Sequence, residues 1–254
     1  MSRAIFLAGK LINNSNLTVI SGTVNAQFPL DNIKHDFSTK VARSTTSSFS
    51  ILIDILSVSA VDIIAIRGSQ IDGIGFTAAT IEGSATTVFS GTPINIDISV
   101  EHNLAFKELS SSNLRYWKLS FTGTSYVEIS NIYIGQKVQM LDNNIGMGFN
   151  YSVNTNSKVT KNLFGQRFID EYGFSKKIIG DIKYANSTEF DQLNDIQLQY
   201  GENKPILFIL DSNNDITITN SKYLFSGIFY MSDLNWKQVA PGLFDCQISL
   251  EESM

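Results

Sequence analysis

The chain contains only two histidines, His35 and His102, and a single cysteine, Cys246. The side chains most used for nucleophilic, general-base and soft-metal chemistry are therefore scarce. A zinc hydrolase needs paired ligands such as HExxH, and a structural zinc needs CxxC pairs; the sequence has neither. No GxSxG elbow presents a serine nucleophile. Both histidines sit in polar loop sequences, KHD and EHN. Asp211 and Asp215 flank a Ser-Asn-Asn turn, where acids accept backbone N–H bonds without any catalytic role. Glu251 and Glu252 stand near the chain end, and glycosidase carboxylates cannot be picked from spacing alone. Gly146-Met147-Gly148 is not followed by the Gly-Lys-Ser/Thr of a phosphate loop. The expectation is a non-enzymatic protein with no catalytic residues.

The elements that position these residues read mostly as strands. Leu17–Ile20, Phe49–Leu56 and Asp62–Gly68 are strand-like, the second mostly apolar. Thr77–Ile81 and Thr87–Phe89 are short. In Ile94–Val100, alternation places Ile94, Ile96, Ile98 and Val100 inward. Around Arg115–Gly135, Trp117, Leu119 and Phe121 alternate with Tyr116, Lys118, Ser120 and Thr122. After a turn at Thr122–Ser125, Val127, Ile129, Ile132 and Ile134 follow, so the stretch reads as a hairpin of half-buried strands. Short strands separated by Gly and Asn turns make a sandwich.

Alternation fades after Gly135, and Gln136–Asn162 reads as a connection or extended arm between domains. Beyond it, Phe168–Tyr172, Lys177–Ile182, Pro205–Asp211, Ile216–Thr219, Leu224–Tyr230 and Leu243–Leu250 are expected strands. One helix is expected, capped by Ser187 or Thr188, with Phe190, Leu193, Ile196 and Leu198 leading to Tyr200 and Gly201 as its stop. Its face formed by Phe190, Leu193 and Ile196 is expected to pack on the Pro205–Asp211 strand. The fold class is mostly β: a sandwich over 1–135, a linker over 136–162, and a smaller β-rich α+β domain with one helix over 163–254.

At 254 residues, with 43% hydrophobic and 17% charged residues, the chain can build a real core under a sparsely charged surface. The net charge is −5 and no basic stripe is present, which argues against nucleic acid. No apolar run reaches the roughly 20 residues that span a bilayer, so no membrane association is expected. The start, MSRAIFLAGK, lacks the pattern of a signal peptide. Cys246, in FDCQISLEE, reads as a buried strand residue, in keeping with folding in a reducing cytoplasm.

Two resemblances follow from these stretches. The segments NAQFPLDNIKHDFSTKVARSTTSSFSILIDI and RYWKLSFTGTSYVEISNIYIG together resemble a galactose-binding-like (discoidin or F5/8C-type) jelly roll. That likeness implies sugar-contacting residues on loops at one end, here Phe28, His35, Phe37, Arg43 and Arg67. It also implies a possible structural calcium, with Asp31, Asp36 and Glu128 as candidate ligands; calcium wants six to eight oxygens. In VARST the family's tryptophan is replaced by Ala42, and Arg43 reads as an internal brace bonded to loop carbonyls. The second stretch, FGQRFIDEYGFSKKIIGDIKYANSTEFDQLNDIQLQYGENKPILFILD with APGLFDCQISLEE, resembles tail-tube and distal-tail domains of tailed bacteriophages.

The two together imply a structural protein of a virion tail or baseplate, assembled in the host cytoplasm. Its partners would be further copies of itself in an oligomeric ring and other virion proteins. The aromatics Phe164, Phe168, Tyr172, Phe225, Phe229, Tyr230 and Trp236 are the expected interface. The alternative is a carbohydrate-binding adhesion module that contacts a cell-surface glycan.

Overall fold

The computed structural model describes residues 4–7, 11–35, 40–68, 75–99, 103–139, 150–161, 167–210 and 227–252. Its strands are β1 (Ala4–Leu7), β2 (Asn16–Ser21), β3 (Ala42–Arg43), β4 (Ser48–Gly68), β5 (Ala78–Ser84), β6 (Ile94–Asn95), β7 (Asp97–Ser99) and β8 (Leu104–Thr122). They continue with β9 (Glu128–Gly135), β10 (Val138–Gln139), β11 (Asn150–Lys161), β12 (Arg167–Asn186), β13 (Ile206–Leu210), β14 (Gly227–Ala240) and β15 (Leu243–Glu252). The helix α1 covers Ser187–Gln199. The chain forms two compact units. One comprises Ile5–Gln139 with Leu207–Gly227, and the other Met1–Ala4, Met140–Ile206 and Ile228–Met254.

In the first unit, strand order runs β3-β9-β4-β8-β5-β6, with β2 on β4 and β7 on β8. The long antiparallel pair β4 and β8 organises it. Its ladder breaks between Asp54 and Ser59, where β4 inserts a bulge. Before the break, Phe49, Ile51, Ile53 and Ile55 face the core; after it, Val61, Ile64 and Ile66 do, all within one cluster with Trp117, Leu119, Phe121, Ile129, Ile132 and Ile134. The strand bends at the bulge, and both halves send side chains into the same core.

The bend is pinned by charge. Arg115 donates to both oxygens of Asp54 at 2.6 and 2.8 Å, and Asp54 accepts the amide of Leu56, whose φ is +67°. Left-handed backbone costs a branched residue energy, and this carboxylate clamp offsets the cost. In the same unit β1 lies between β10 and β13, and the Phe6 and Phe208 rings meet at 5.1 Å.

The second unit orders its strands β14-β15-β12-β11. The helix is capped by Asn186: its side chain accepts the Glu189 amide, and the Glu189 carboxylate accepts the Asn186 amide. It packs on β12 and β15. Phe190 stacks on Phe244 at 4.5 Å and meets Trp236 edge-on at 4.8 Å, while Leu193 is fully buried. Leu193→Ala is expected to cost about 2–5 kcal/mol of stability in urea unfolding, the usual range for a core leucine. A cost below about 0.5 kcal/mol would mean that the helix is not a packing element.

Several expectations are corrected. Β8 and β9 are not a hairpin, because β4 lies between them. Β9 is buried along its whole length on both faces, not half-buried. Phe49–Leu56 and Asp62–Gly68 are one strand. Thr87–Phe89 is not a strand; its turn is held by the Ser84 hydroxyl donating to the Val88 carbonyl. Ile94 points out, with 44% exposure, while Ile96 is buried. The supposed linker contains β11, which pairs along β12 from Asn150 to Lys161. The helix cap is Asn186 instead of Ser187 or Thr188, its packing partners are β12 and β15, and Leu198 is 76% exposed. Ile216–Thr219 lies outside the described residues.

Two acids give the fold a pH signature. The Arg115 hydrogen bonds hold Asp54 below its ordinary carboxylate range, and the Tyr184 amide and Lys183 ammonium do the same for Asp245. A lowered folded-state pKa contributes stability present above the unfolded value of about 3.9 and lost as pH falls through the folded value. Thermal stability should therefore drop below about pH 4. Asp54→Asn and Asp245→Asn should flatten that part of the curve. An unchanged acid limb in both variants would contradict the clamps.

Candidate functional site

Loops from four parts of the first unit converge at one end of the sandwich. The Asn25 amide donates to the Arg43 carbonyl at 2.8 Å, and the Arg43 amide to the Phe28 carbonyl at 3.1 Å. Ser44 and Val127 exchange bonds: the Ser44 amide donates to the Val127 carbonyl, and the Val127 amide to the Ser44 hydroxyl, both at 2.8 Å. The Glu128 amide donates to the Gly75 carbonyl at 3.1 Å. Gly75 has φ +76°, and a Cβ there would lie 2.4 Å from the Glu128 carbonyl oxygen, so only glycine permits this approach.

Arg43 sits at the centre of this end. Its Nε and Nη2 both donate to Oε2 of Glu128. The guanidinium carbon lies 4.6 Å from the centroid of the Phe28 ring and 4.7 Å from that of Tyr126. Glu128 has no solvent exposure, whereas the Arg43 side chain retains 26%. The charge of the guanidinium is thus balanced by a buried carboxylate, and the group also lies against two aromatic rings. Arginine carries five N–H donors; Nη1 has no acceptor among the described residues. Phe28 and Tyr126 are half-buried, so part of each ring and part of the Arg43 side chain reach solvent.

The candidate residues separate on this geometry. Phe28 and Arg43 lie together, the guanidinium over the Phe28 ring. Arg43 is a brace, but its partner is the Glu128 carboxylate, not loop carbonyls. His35 is exposed and contributes its carbonyl, which accepts from Asn131. Arg67 is 7% exposed within β4, in register with Asn131, and does not line the surface. Phe37 and Asp36 lie outside the described residues. Of the calcium candidates, Glu128 is engaged by Arg43, and Asp31 is 77% exposed and paired with Lys34 at 2.9 Å. No cluster of three or more acids, histidines or cysteines forms among the described residues.

Among the expected interface aromatics, Phe229 is fully buried, and Trp236 is half-buried against Phe190 and Phe244, so these two belong to the core of the chain. Tyr230 is half-buried. Phe168 and Tyr172 lie in β12 with side chains outside the described residues, and Phe164 and Phe225 are outside them altogether. Cys246 is buried in β15, where burial pushes its thiol up to about 12. Sequence reasoning missed Tyr126. Its one signal was its place immediately before the buried Val127-Glu128.

No protein-family model matches the chain, and no curated protein sequence matches it. Solved structures similar to it include the CBM32-5 module of CpGH89 from Clostridium perfringens, in complex with GalNAc-β-1,3-galactose. That module has 11% identity and a TM-score of 0.43, over 50% of this chain and 100% of its own. A fucose-binding module from Streptococcus pneumoniae has 9% identity and a TM-score of 0.42, over 50% of this chain and 98% of its own. A GH29 fucosidase from Ruminococcus gnavus, in complex with fucose, has 16% identity and a TM-score of 0.42, over 51% of this chain and 27% of its own.

Proposed function

We propose that the chain is a non-enzymatic carbohydrate-binding protein and that the Phe28–Arg43–Tyr126 end of its first unit contacts the glycan. The observation that carries this reading is the partly exposed Arg43 guanidinium, braced by Glu128 and lying against two half-buried aromatic rings. A pyranose presents an apolar C–H face, which suits an aromatic ring, and hydroxyls, which suit fixed N–H donors. Glu128 holds Arg43 in one orientation before any ligand arrives, which lowers the ordering cost of binding. Because Glu128 also balances the charge, the site suits neutral sugars over sulfated or carboxylated ones.

The test is a microarray of immobilised neutral and anionic glycans probed with the wild type, Phe28→Ala and Tyr126→Ala. The wild type should retain neutral glycans. Each variant should lose at least about tenfold in apparent affinity, equivalent to about 1.4 kcal/mol, while still melting cooperatively. Retention of no glycan, or of the same glycans by all three proteins, would reject the reading.

A second reading is a structural subunit of a virion, with protein–protein contacts in the second unit. It is favoured by apolar side chains left in solvent there: Val153, Tyr184, Leu198 and Val239 are all at least 40% exposed.

A further inference from the structure

A structural calcium draws six to eight oxygens, carboxylate and carbonyl, toward one point. At the loop end of the first unit, nitrogen donors hold such oxygens one by one. The Phe28 carbonyl accepts the Arg43 amide, the Pro29 carbonyl the Asn32 amide and the Asn32 carbonyl the His35 amide, each at 3.1 Å. Side chains take two more. Asn32 Nδ2 donates to the Val41 carbonyl at 2.8 Å, and Asn131 Nδ2 donates to the His35 carbonyl. The loop is thus tied to itself through Asn32 and to β9 through Asn131, by amide groups where a metal-bound loop would offer its carbonyls to an ion.

The charges lead to the same place. Glu128 has no exposed surface, and a buried carboxylate needs a cation beside it. Arg43 supplies one, with Nε and Nη2 both on Oε2. A guanidinium does not give up its proton in a protein, so the charge is permanent. Glu128 Oε1 is enclosed and has no hydrogen-bond partner among the described residues. One such oxygen falls far short of a calcium shell. Asp31 does not complete it, being 77% exposed and paired with Lys34 at 2.9 Å. A calcium ion at Glu128 would add two positive charges beside the guanidinium, against a single buried carboxylate.

We propose that Arg43 is the permanent internal cation of this end, taking the role of the structural calcium that the jelly-roll likeness implies, so that the first unit holds its loops without a metal ion. Arg43 balances Glu128, and Asn32 and Asn131 close the loop. The residues described at this end do not fit a calcium ion, and the same groups that exclude it do its work. The inference concerns the folded chain without sugar, so it stands or falls apart from the glycan reading.

Thermal melting of the full chain without sugar tests it, in millimolar EDTA and again in millimolar calcium. The wild type should melt within about 1 °C in the two solutions, because an ion that bound the folded state alone would raise the melting temperature. Arg43→Lys should melt at least about 3 °C above Arg43→Met, whose neutral side chain has a similar reach, since only lysine leaves a cation on Glu128. The first comparison needs no variant to fold. A wild type raised by calcium by more than about 3 °C would overturn the proposal. So would Arg43→Met melting as high as Arg43→Lys, because the buried carboxylate would then need no cation from this position.

Discussion

Arg43→Ala should destabilise the protein by about 3 kcal/mol, because it strands the Glu128 carboxylate in the interior without its partner. Breaking a buried pair from one side costs more than removing both charges. The double variant Arg43→Ala with Glu128→Ala should therefore lose less than the sum of the two single variants, with a coupling of at least about 1 kcal/mol. Urea unfolding of the four proteins closes the cycle. A single-variant loss below about 1 kcal/mol would show that solvent reaches the carboxylate and that Arg43 is not held by it.

The second large effect separates core from interface. Phe229 is fully buried in β14. Phe229→Ala should cost about 3–5 kcal/mol in urea unfolding. If the variant melts like the wild type, Phe229 is not a core residue and the burial described above is not that of the protein in solution.

Strand content was readable where one face is wet. Trp117, Leu119 and Phe121 alternate with half-buried partners, and the period-2 pattern located β8. It failed for β9, because Ser130, Asn131 and Tyr133 are as buried as Ile129 and Ile132, so no polarity marks which face is which. Pairing was read from adjacency along the chain, yet β4 separates β8 from β9; a long ribbon bent at a bulge has no short-range signal. The segment around β11 is rich in Asn, Ser and Thr and imitates a linker, although it pairs with β12 from Asn150 to Lys161, with one irregularity between Thr155 and Ser157.

At the site, Phe28 and Arg43 were identifiable from their place in the first long loop. The Arg43–Glu128 pair spans 85 positions of sequence, and such a contact is invisible without the fold. The same distance explains why Glu128 resembled a calcium ligand: an acid at the start of a strand looks alike whether it faces a cation or a guanidinium. The exposed Tyr184 escaped notice among many aromatics, because only its backbone angle sets it apart.

The central claim is that the Phe28–Arg43–Tyr126 end holds a neutral glycan. The direct measurement is an NMR titration of isotope-labelled protein with the best glycan from the array, following the Arg43 guanidinium, the Phe28 and Tyr126 rings and all backbone amides. The account predicts saturable shifts at those three side chains and at the Ser44, Val127 and Glu128 amides. Shifts confined to another surface, or none at millimolar sugar, would contradict it.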